Sequence, residues 1–235
     1  MRLVIMQPSF MPWLGYFDLF LHADLFLVYD NVQYDKDGWR NRNRIKTPNG
    51  PQWITVPVLT KGQNKPTNRD IRVNNLENWQ RKHLGSLQMN YAKAPYFKEV
   101  FPMIESIYTH SWDLLIDLNM ACIEKLCQYL GIQTPMRFVS EVKIDLPEGK
   151  NEKLIRLCRE VGATEFYEPK GGEGYIDPVQ FEQAGIRLTF QDYAHPVYPQ
   201  LHGEFVSQLS TLDLLFNCGP ASAEILRASS NLAGS

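Results

Sequence analysis

Residues 2–30 run RLVIMQPSFMPWLGYFDLFLHADLFLVYD, and this stretch decides the fold expected of the chain. Leu3 to Met6 is a short apolar run that stops before Pro8, and Leu25 to Tyr29 is a second run of β-forming residues. Between them, Pro12 favours the start of a helix, because proline is well tolerated at the first helical position. The stretch therefore predicts a strand, a helix and a second strand, which is the opening unit of an α/β protein.

Three further segments extend this unit. Asp37-Gly38 and Asn49-Gly50 are typical of tight turns, and they separate two extended segments, Trp39 to Ile45 and Gln52 to Val58. We expect these segments to form a hairpin that adds to the sheet. The polar stretch from Leu59 to Asn74 predicts a long surface loop that acts as a flap.

Helical and α/β patterns fill the rest of the chain. Apolar spacing predicts a helical block at residues 76–131, which Gly131 closes as a C-cap, and then alternating helices and strands. The expected fold is α/β: a Rossmann-like mixed sheet with flanking helices and an inserted helical block. We expect a single domain at residues 1–227, with a final helix near 205–216, and a disordered tail at residues 228–235.

Composition limits the classes of protein that fit. With 44% apolar and 21% charged residues the chain can fill a core, and 24 basic against 26 acidic residues give a net charge of -2. This balance provides no overall attraction to nucleic acid, which we do not expect as a partner. The apolar runs are too short for a signal peptide or a transmembrane segment, so we expect a cytoplasmic protein.

The four cysteines form no recognisable metal or disulfide motif. They include no Cys-x-x-Cys pair and have no histidine at zinc-ligand spacing; they are Cys122, Cys127, Cys158 and Cys218. We interpret them as reduced thiols that are partly buried. We therefore expect no metal site and no tightly bound cofactor, and the sequence leaves the oligomeric state open.

The sharpest local pattern is a run of cations at a spacing of two. A strand would direct all of them to one face; they are Arg40, Arg42, Arg44 and Lys46, with Trp39 and Asn41 beside them. Cations in such a row repel each other unless an anion lies across them, and guanidinium groups bind phosphate with two hydrogen bonds. The run predicts a diphosphate site. The alternative is a solvated edge strand whose charges prevent aggregation.

The loop after the first strand holds a second group of candidates. Gln7, Ser9 and Trp13 lie between the first strand and the first helix, where α/β sheets bind ligands. Free backbone N–H groups at the helix start favour an anion. Because the loop has no Gly-x-Gly-x-x-Gly pattern and no Walker lysine, it is not a recognised nucleotide-binding motif.

A third group follows the second strand. Asp30, Gln33 and Tyr34 lie at or just beyond the end of that strand, in a position to contact a bound sugar. Asp35 and Asp37 form an Asp-x-Asp pattern, which holds a divalent cation in many glycosyltransferases. Turn propensity explains the same pattern without a metal.

Two segments of the C-terminal half complete the candidate set. Lys170 begins a glycine-rich loop, in which the backbone can approach a ligand closely, although a plain connecting loop is the alternative. Further on, two prolines stiffen the segment that presents His195, Tyr198 and Gln200. His195 can accept a proton near neutral pH, and the nearby His202 could substitute for it.

Several distinctive motifs occur in a fixed order along the chain. They are Gln7-Pro-Ser-x-x-Pro-Trp-x-Gly-Tyr16, Tyr29-Asp-x-Val-Gln-Tyr-Asp35, Gly38-Trp-Arg-Asn-Arg-Asn-Arg-Ile-Lys-Thr47, Trp53, Gln191-Asp-Tyr-x-His-Pro-Val-Tyr-Pro-Gln200 and Leu209-Ser-x-x-Asp-Leu-Leu-Phe-Asn217. Together they resemble the WbqC-like family over almost the whole chain apart from its tail. The resemblance implies a bacterial protein of O-antigen and other surface-polysaccharide biosynthesis that acts on nucleotide-linked amino sugars.

These residues and the resemblance lead to one main hypothesis. The chain would transfer an acyl or aminoacyl group from a thioester, on coenzyme A or a carrier protein, to the amine of a nucleotide-linked dideoxy amino sugar. His195 would accept the amine proton, the four cations would bind the diphosphate, and Asp30 or Gln33 would orient the sugar. The alternatives are a metal-dependent glycosyltransferase and a non-catalytic module that binds sugar nucleotides or a carrier protein.

Overall fold

A computed structural model gives the secondary structure of residues 1–230. The strands are β1 (Arg2–Met6), β2 (Leu25–Val28), β3 (Arg42–Thr47), β4 (Gly50–Thr55), β5 (Val58–Leu59), β6 (Arg72–Val73), β7 (Met136–Phe138), β8 (Glu165–Glu168) and β9 (Arg187–Phe190). The helices are α1 (Leu14–His22), α2 (Trp79–Tyr91), α3 (Phe97–Tyr108), α4 (Leu115–Leu130), α5 (Lys150–Glu160), α6 (Pro178–Gln183), α7 (Thr211–Cys218) and α8 (Ser222–Ser229).

Five of the strands form one parallel sheet in the order β7-β2-β1-β8-β9. Strand β1 is central, since Leu3 lies opposite Leu25 of β2 on one side and opposite Phe166 of β8 on the other. The expected α/β Rossmann-like fold is confirmed. The antiparallel hairpin expected to add to the sheet instead forms a small sheet of its own, β3-β4, and a second antiparallel pair, β5-β6, flanks the stretch expected to be a loop.

Alternate residues of β1 enter two different cores. Val4 belongs to the larger core, with Phe17 of α1, whereas Leu3 and Ile5 belong to the smaller core, with Leu157 of α5. A strand directs successive side chains to opposite faces, and helices cover both faces of a parallel sheet, so both sets of side chains are buried.

Most of the elements expected from the sequence are present. The opening unit consists of β1, α1 and β2, and the helical block consists of α2, α3 and α4, which Gly131 ends with a positive φ of 65°. The hairpin of β3 and β4 also forms, but it is not an addition to the main sheet. The helix expected as the final one, near residues 205–216, is α7, which begins at Thr211, where the Ser210 side chain caps it by accepting a hydrogen bond from the Leu212 amide; α8 follows it.

The C-terminal segment differs from the expected disordered tail. Helix α8 extends to Ser229, and the buried hydroxyl of Ser230 donates a hydrogen bond to Asp18 in α1. Residues 228–230 are therefore packed against the domain. The other residues expected in the tail, 231–235, lie outside the described residues.

Asn43 of β3 joins the hairpin to the loop after β1. Its buried amide donates hydrogen bonds to the carbonyls of Phe10 and Met11, at 3.3 and 2.7 Å. Met11 has a positive φ of 43°, an unusual conformation for a non-glycine residue, and its carbonyl also accepts a hydrogen bond from Ser210. The amide of Asn43 thus helps to fix the loop in this conformation.

We expect Asn43→Ala to lower the free energy of unfolding by about 2 kcal/mol, because the buried carbonyls of the loop lose a donor. Urea denaturation followed by tryptophan fluorescence would measure the change. Asn49→Ala is the control, since the exposed Asn49 loses the same atoms, and it should alter stability by less than about 0.5 kcal/mol. Equal effects of the two substitutions would contradict this role of Asn43.

Candidate functional site

A cavity of about 320 Å³ lies at the carboxyl edge of the parallel sheet. Its wall includes Met6 and Gln7 at the end of β1, Tyr29 after β2, and Glu168 at the end of β8. With the strand order found here, this edge is the topological switch point, where open α/β sheets bind ligands. We call it the switch-point cavity.

Glu168 is the buried acid of this cavity. The residue is only 6% exposed, and its Oε1 accepts a hydrogen bond of 2.9 Å from the hydroxyl of Tyr175. Burial raises the pKa of Glu168 to about 7, against the opposing effects of the Tyr175 hydrogen bond and the charge of Lys150. A carboxyl group with this pKa can both accept and release a proton at neutral pH.

Two lysines of α5 bring positive charge to the same cavity. Lys150 and Lys153 both line it, and the Lys150 ammonium lies 3.1 Å from the centroid of the Tyr175 ring. Desolvation lowers the pKa of Lys150, and the nearby Glu168 partly offsets this effect. Glu148 also lines the cavity, so the two lysines balance two acids of the wall and place positive charge near Glu168.

The glycine-rich loop after β8 makes room for the acid. Residues Lys170–Gly174 form a 3₁₀ turn, and a Cβ atom at Gly172 would overlap the side chain of Glu168. Lys170 itself is exposed and is not part of the cavity wall. The loop therefore contributes space for Glu168 and positions Tyr175, in place of the ligand contact expected of Lys170.

Two residues expected to bind substrate, Gln7 and Gln33, do line the cavity. The Gln7 side-chain oxygen accepts a hydrogen bond of 3.0 Å from Asn68, which also donates to the carbonyl of Tyr29. Gln33 forms an isolated β-bridge with Thr67. The segment expected to be a flap is therefore anchored at the cavity through Thr67 and Asn68.

The cations of the basic run do not surround one anion. Strand β3 begins at Arg42, and Arg40 precedes it and donates hydrogen bonds to the Gln7 carbonyl and the Ser9 hydroxyl, at 3.1 and 2.7 Å. Lys46 is buried and donates to the backbone carbonyl of Glu204. Both side chains are held by distant loops, so the expected row of four phosphate ligands is not formed.

The other two cations of the run pack on aromatic rings. Arg42 and Arg44 lie over Trp53, with their guanidinium carbons 4.9 and 5.8 Å from its centroid, and Arg44 also lies over Trp39. Asn41 is buried and donates to the carbonyl of Val56. The arginines, Trp39 and Asn41 thus stabilise the hairpin and its junctions instead of forming the expected binding face.

Asp30 also has a structural contact in place of the expected sugar contact. The residue is 3% exposed, and its carboxylate accepts a hydrogen bond of 3.0 Å from the amide of Ser140. The carboxylate of Asp35 accepts a hydrogen bond from the Asp37 amide, so the Asp-x-Asp pattern forms a turn. Across residues 1–230, no group of three or more His, Cys, Asp or Glu side chains is arranged to hold a metal ion.

His195 lies in an aromatic cluster that is separate from the wall of the switch-point cavity. Its ring is stacked with those of Trp13 and Tyr198, each with a centroid distance of 6.2 Å. Nδ1 lies 3.0 Å from the Pro196 carbonyl, and Nε2 is buried with no hydrogen-bond partner in the described part of the chain. Burial lowers the pKa of His195, against the opposing effect of the hydrogen bond with Pro196.

Asp213, which the sequence patterns did not single out, gathers several expected site residues. Its buried carboxylate accepts a hydrogen bond of 2.8 Å from Tyr91. Burial raises the pKa of Asp213, against hydrogen bonds from Tyr91 and Tyr198 and the charge of Lys46. Gln200, the remaining candidate, exchanges two hydrogen bonds with the backbone of Val206. The cluster around Asp213 thus connects the segment before α7 with strand β3 of the hairpin, through Tyr91 and Lys46.

We expect the raised pKa of Glu168 to appear in the pH dependence of stability. The folded protein holds this proton more tightly than the unfolded chain, so the free energy of unfolding should fall as pH rises from about 4.5 to about 7. Over that range the unsubstituted protein should lose on the order of 3 kcal/mol of its free energy of unfolding. Glu168→Gln should abolish this pH-dependent loss. Urea denaturation at several pH values would measure it.

The exposed Glu173 in the same loop provides the matched control. Glu173→Gln should retain the pH dependence of the unsubstituted protein. If Glu168→Gln retains it as well, the proton on Glu168 is not held more tightly in the folded state.

No described helix is both long and apolar enough to cross a membrane.

Comparisons with known proteins cover nearly the whole chain. The chain is 39% identical over 228 residues to the uncharacterized protein Rv1507c of Mycobacterium tuberculosis. The aligned region covers 96% of this chain and 97% of that protein. No solved structure matches the chain. The model of the WbqC-like protein family matches residues 7–225, and this chain therefore belongs to the WbqC-like family.

Proposed function

We propose that this protein transfers an acyl or aminoacyl group from a thioester to the amine of a nucleotide-linked amino sugar. The observation that carries the proposal is Glu168, a buried carboxyl with a pKa near 7 at the ligand-binding edge of a Rossmann-like sheet. Family membership supports a substrate from surface-polysaccharide biosynthesis, which is what the resemblance implies. The thioester donor would be coenzyme A or a carrier protein, both of which suit a cytoplasmic enzyme.

The reaction needs one base in the cavity. The amine attacks the thioester carbonyl carbon and forms a C–N bond, while the carboxylate of Glu168 accepts the proton that the amine loses. The tetrahedral intermediate then collapses, the C–S bond breaks, and Glu168 returns the proton to the departing sulfur. The products are an amide and a free thiol, and Glu168 is again ionised.

The two lysines supply the positive charge that this chemistry requires. Lys150 stabilises the negative oxygen of the intermediate, the role for which the sequence offered no candidate, and Lys153 attracts a phosphate of the substrate. The hydroxyl of Tyr175 orients the carboxylate of Glu168 through their hydrogen bond. In this assignment Glu168 replaces His195 as the base, because His195 does not line the cavity.

A comparison of two conservative variants tests the assignment. We expect Glu168→Gln to lower kcat by about 10²- to 10⁴-fold with little change in KM, because the amide cannot accept the proton. His195→Gln should retain kcat within about threefold. Release of free thiol, followed colorimetrically with acyl-coenzyme A and a panel of nucleotide-linked amino sugars, measures the rate.

The pH profile provides a further readout. For the unsubstituted protein, kcat/KM should rise as pH increases through about 7, as Glu168 ionises. Loss of activity in His195→Gln with full activity in Glu168→Gln would reverse the assignment. A sugar-transfer activity that is abolished by a chelator would favour a metal-dependent glycosyltransferase. Tight binding of a sugar nucleotide without turnover would favour a binding module.

A further inference from the structure

A second cavity, of about 550 Å³, adjoins the switch-point cavity. It lies between residues 33–37, after β2, and residues 60–66 of the following loop. The amide of Tyr34 donates a hydrogen bond of 2.8 Å to the carbonyl of Pro66, which holds the two walls together. Gln33 lines both cavities. We call the second space the outer cavity.

The wall of the outer cavity suits a polar group without net charge. Asp35 and Asp37 balance Lys36 and Lys65. The remaining polar side chains have neutral donors and acceptors and are those of Gln33, Tyr34, Thr60 and Gln63. Amide groups of this kind recognise the hydroxyls of a ribose or the edge of a base through hydrogen bonds.

Tyr34 provides a polar atom that has no partner within the protein. The residue is 7% exposed, and its hydroxyl is buried without a hydrogen bond to any described residue. Burial raises the pKa of Tyr34 to about 12, with a smaller opposing contribution from Arg42 and Arg40. Since buried polar groups are normally paired, this hydroxyl indicates a contact that a ligand or solvent must complete.

Arg40 lines neither cavity but interacts with residues that line both. Its guanidinium is bonded to the carbonyl of Gln7, which lines the switch-point cavity, and its charge acts on Asp35 and Tyr34 in the outer cavity. Across the described chain Arg40 takes part in no ion pair with a carboxylate. Arg40 is thus a largely buried cation whose nearest acidic influence, Asp35, forms no ion pair with it, and such a cation adds positive potential to its surroundings.

We infer that the two cavities form one binding site for a nucleoside diphosphate, with the nucleoside in the outer cavity and the diphosphate in the switch-point cavity, which Lys150 and Lys153 line. The site deepens the proposed function and rests on it, because the sugar amine would then extend toward Glu168. The volumes of about 550 and 320 Å³ together lie in the range of typical small-molecule sites.

Isothermal titration calorimetry of the full chain with ADP, GDP, CDP, UDP and dTDP tests the inference. We expect at least one diphosphate to bind, and its monophosphate to bind at least about tenfold more weakly, since it lacks the second anionic group. Gln63→Ala and Tyr34→Phe should each raise Kd for that diphosphate by about five- to tenfold. Gln88→Ala is the matched control, because Gln88 is exposed on α2 away from both cavities.

The outcomes separate this inference from the proposed reaction. Diphosphate binding that depends on Lys150 but not on Gln63 or Tyr34 would overturn the outer cavity as the nucleoside site and leave amine acylation standing. Binding that depends on Gln63 and Tyr34, with no acylation of any amino sugar, would support the site and refute the reaction. Binding of ADP and coenzyme A alone, weakened by these substitutions, would make this the site of the acyl donor and overturn its assignment to the sugar nucleotide. No binding of any diphosphate at millimolar concentration would overturn the inference as a whole.

Discussion

The parallel pairing of β1 with strands on both of its sides constrains the rest of the structure. Strand β2 is reached through α1 on the face that buries Val4, whereas α5, which leads into β8, packs on the face that buries Leu3 and Ile5. The chain therefore leaves the ends of these strands in different directions, and a gap opens between them at the carboxyl edge. The switch-point cavity is that gap.

The elements inserted between β2 and β7 narrow the gap from the outside. Asn43 fixes the loop after β1, Arg40 binds the carbonyl of Gln7, and Asn68 binds the Gln7 side chain. Because these contacts converge on one loop, Asn43 and Arg40 of the basic run stabilise the framework around the cavity. Arg40 forms no ion pair with a carboxylate within the described residues.

The spacing of apolar residues predicted the fold well, because this spacing reflects interactions between residues that are close in the sequence. The run of apolar residues at both ends of residues 2–30 specifies two buried strands, and their order follows from the intervening helix. The same reasoning failed for Lys46. A spacing of two predicts which face a strand residue occupies, but the carbonyl that binds Lys46 belongs to Glu204, 158 residues away. The prediction of a disordered tail was wrong for residues 228–230 for a related reason. The Ser230 hydroxyl donates a hydrogen bond to Asp18, which lies far from it in the sequence.

The site was only partly predictable from the sequence. Gln7 follows β1 directly and Gln33 lies in the loop after β2, and the rule that ligands bind beyond the ends of parallel strands singled out both as candidates. The same rule applies to Glu168, which ends β8, but a single glutamate there carries no pattern. Its partners, Lys150 and Tyr175, come from a helix start and from the end of a glycine-rich turn, so only the folded chain brings them together.

Burial shifts the pKa values of Glu168 and His195 in opposite directions. Desolvation disfavours the charged form of each group, so it raises the pKa of the carboxyl and lowers that of the imidazole. Near neutral pH both groups could accept a proton by this measure alone. Their positions distinguish them, because Glu168 lines the switch-point cavity with two lysines whereas His195 packs against aromatic rings outside the wall of that cavity. In the proposed reaction, the location of a titratable group relative to a cavity, more than its residue type, therefore makes Glu168 the base.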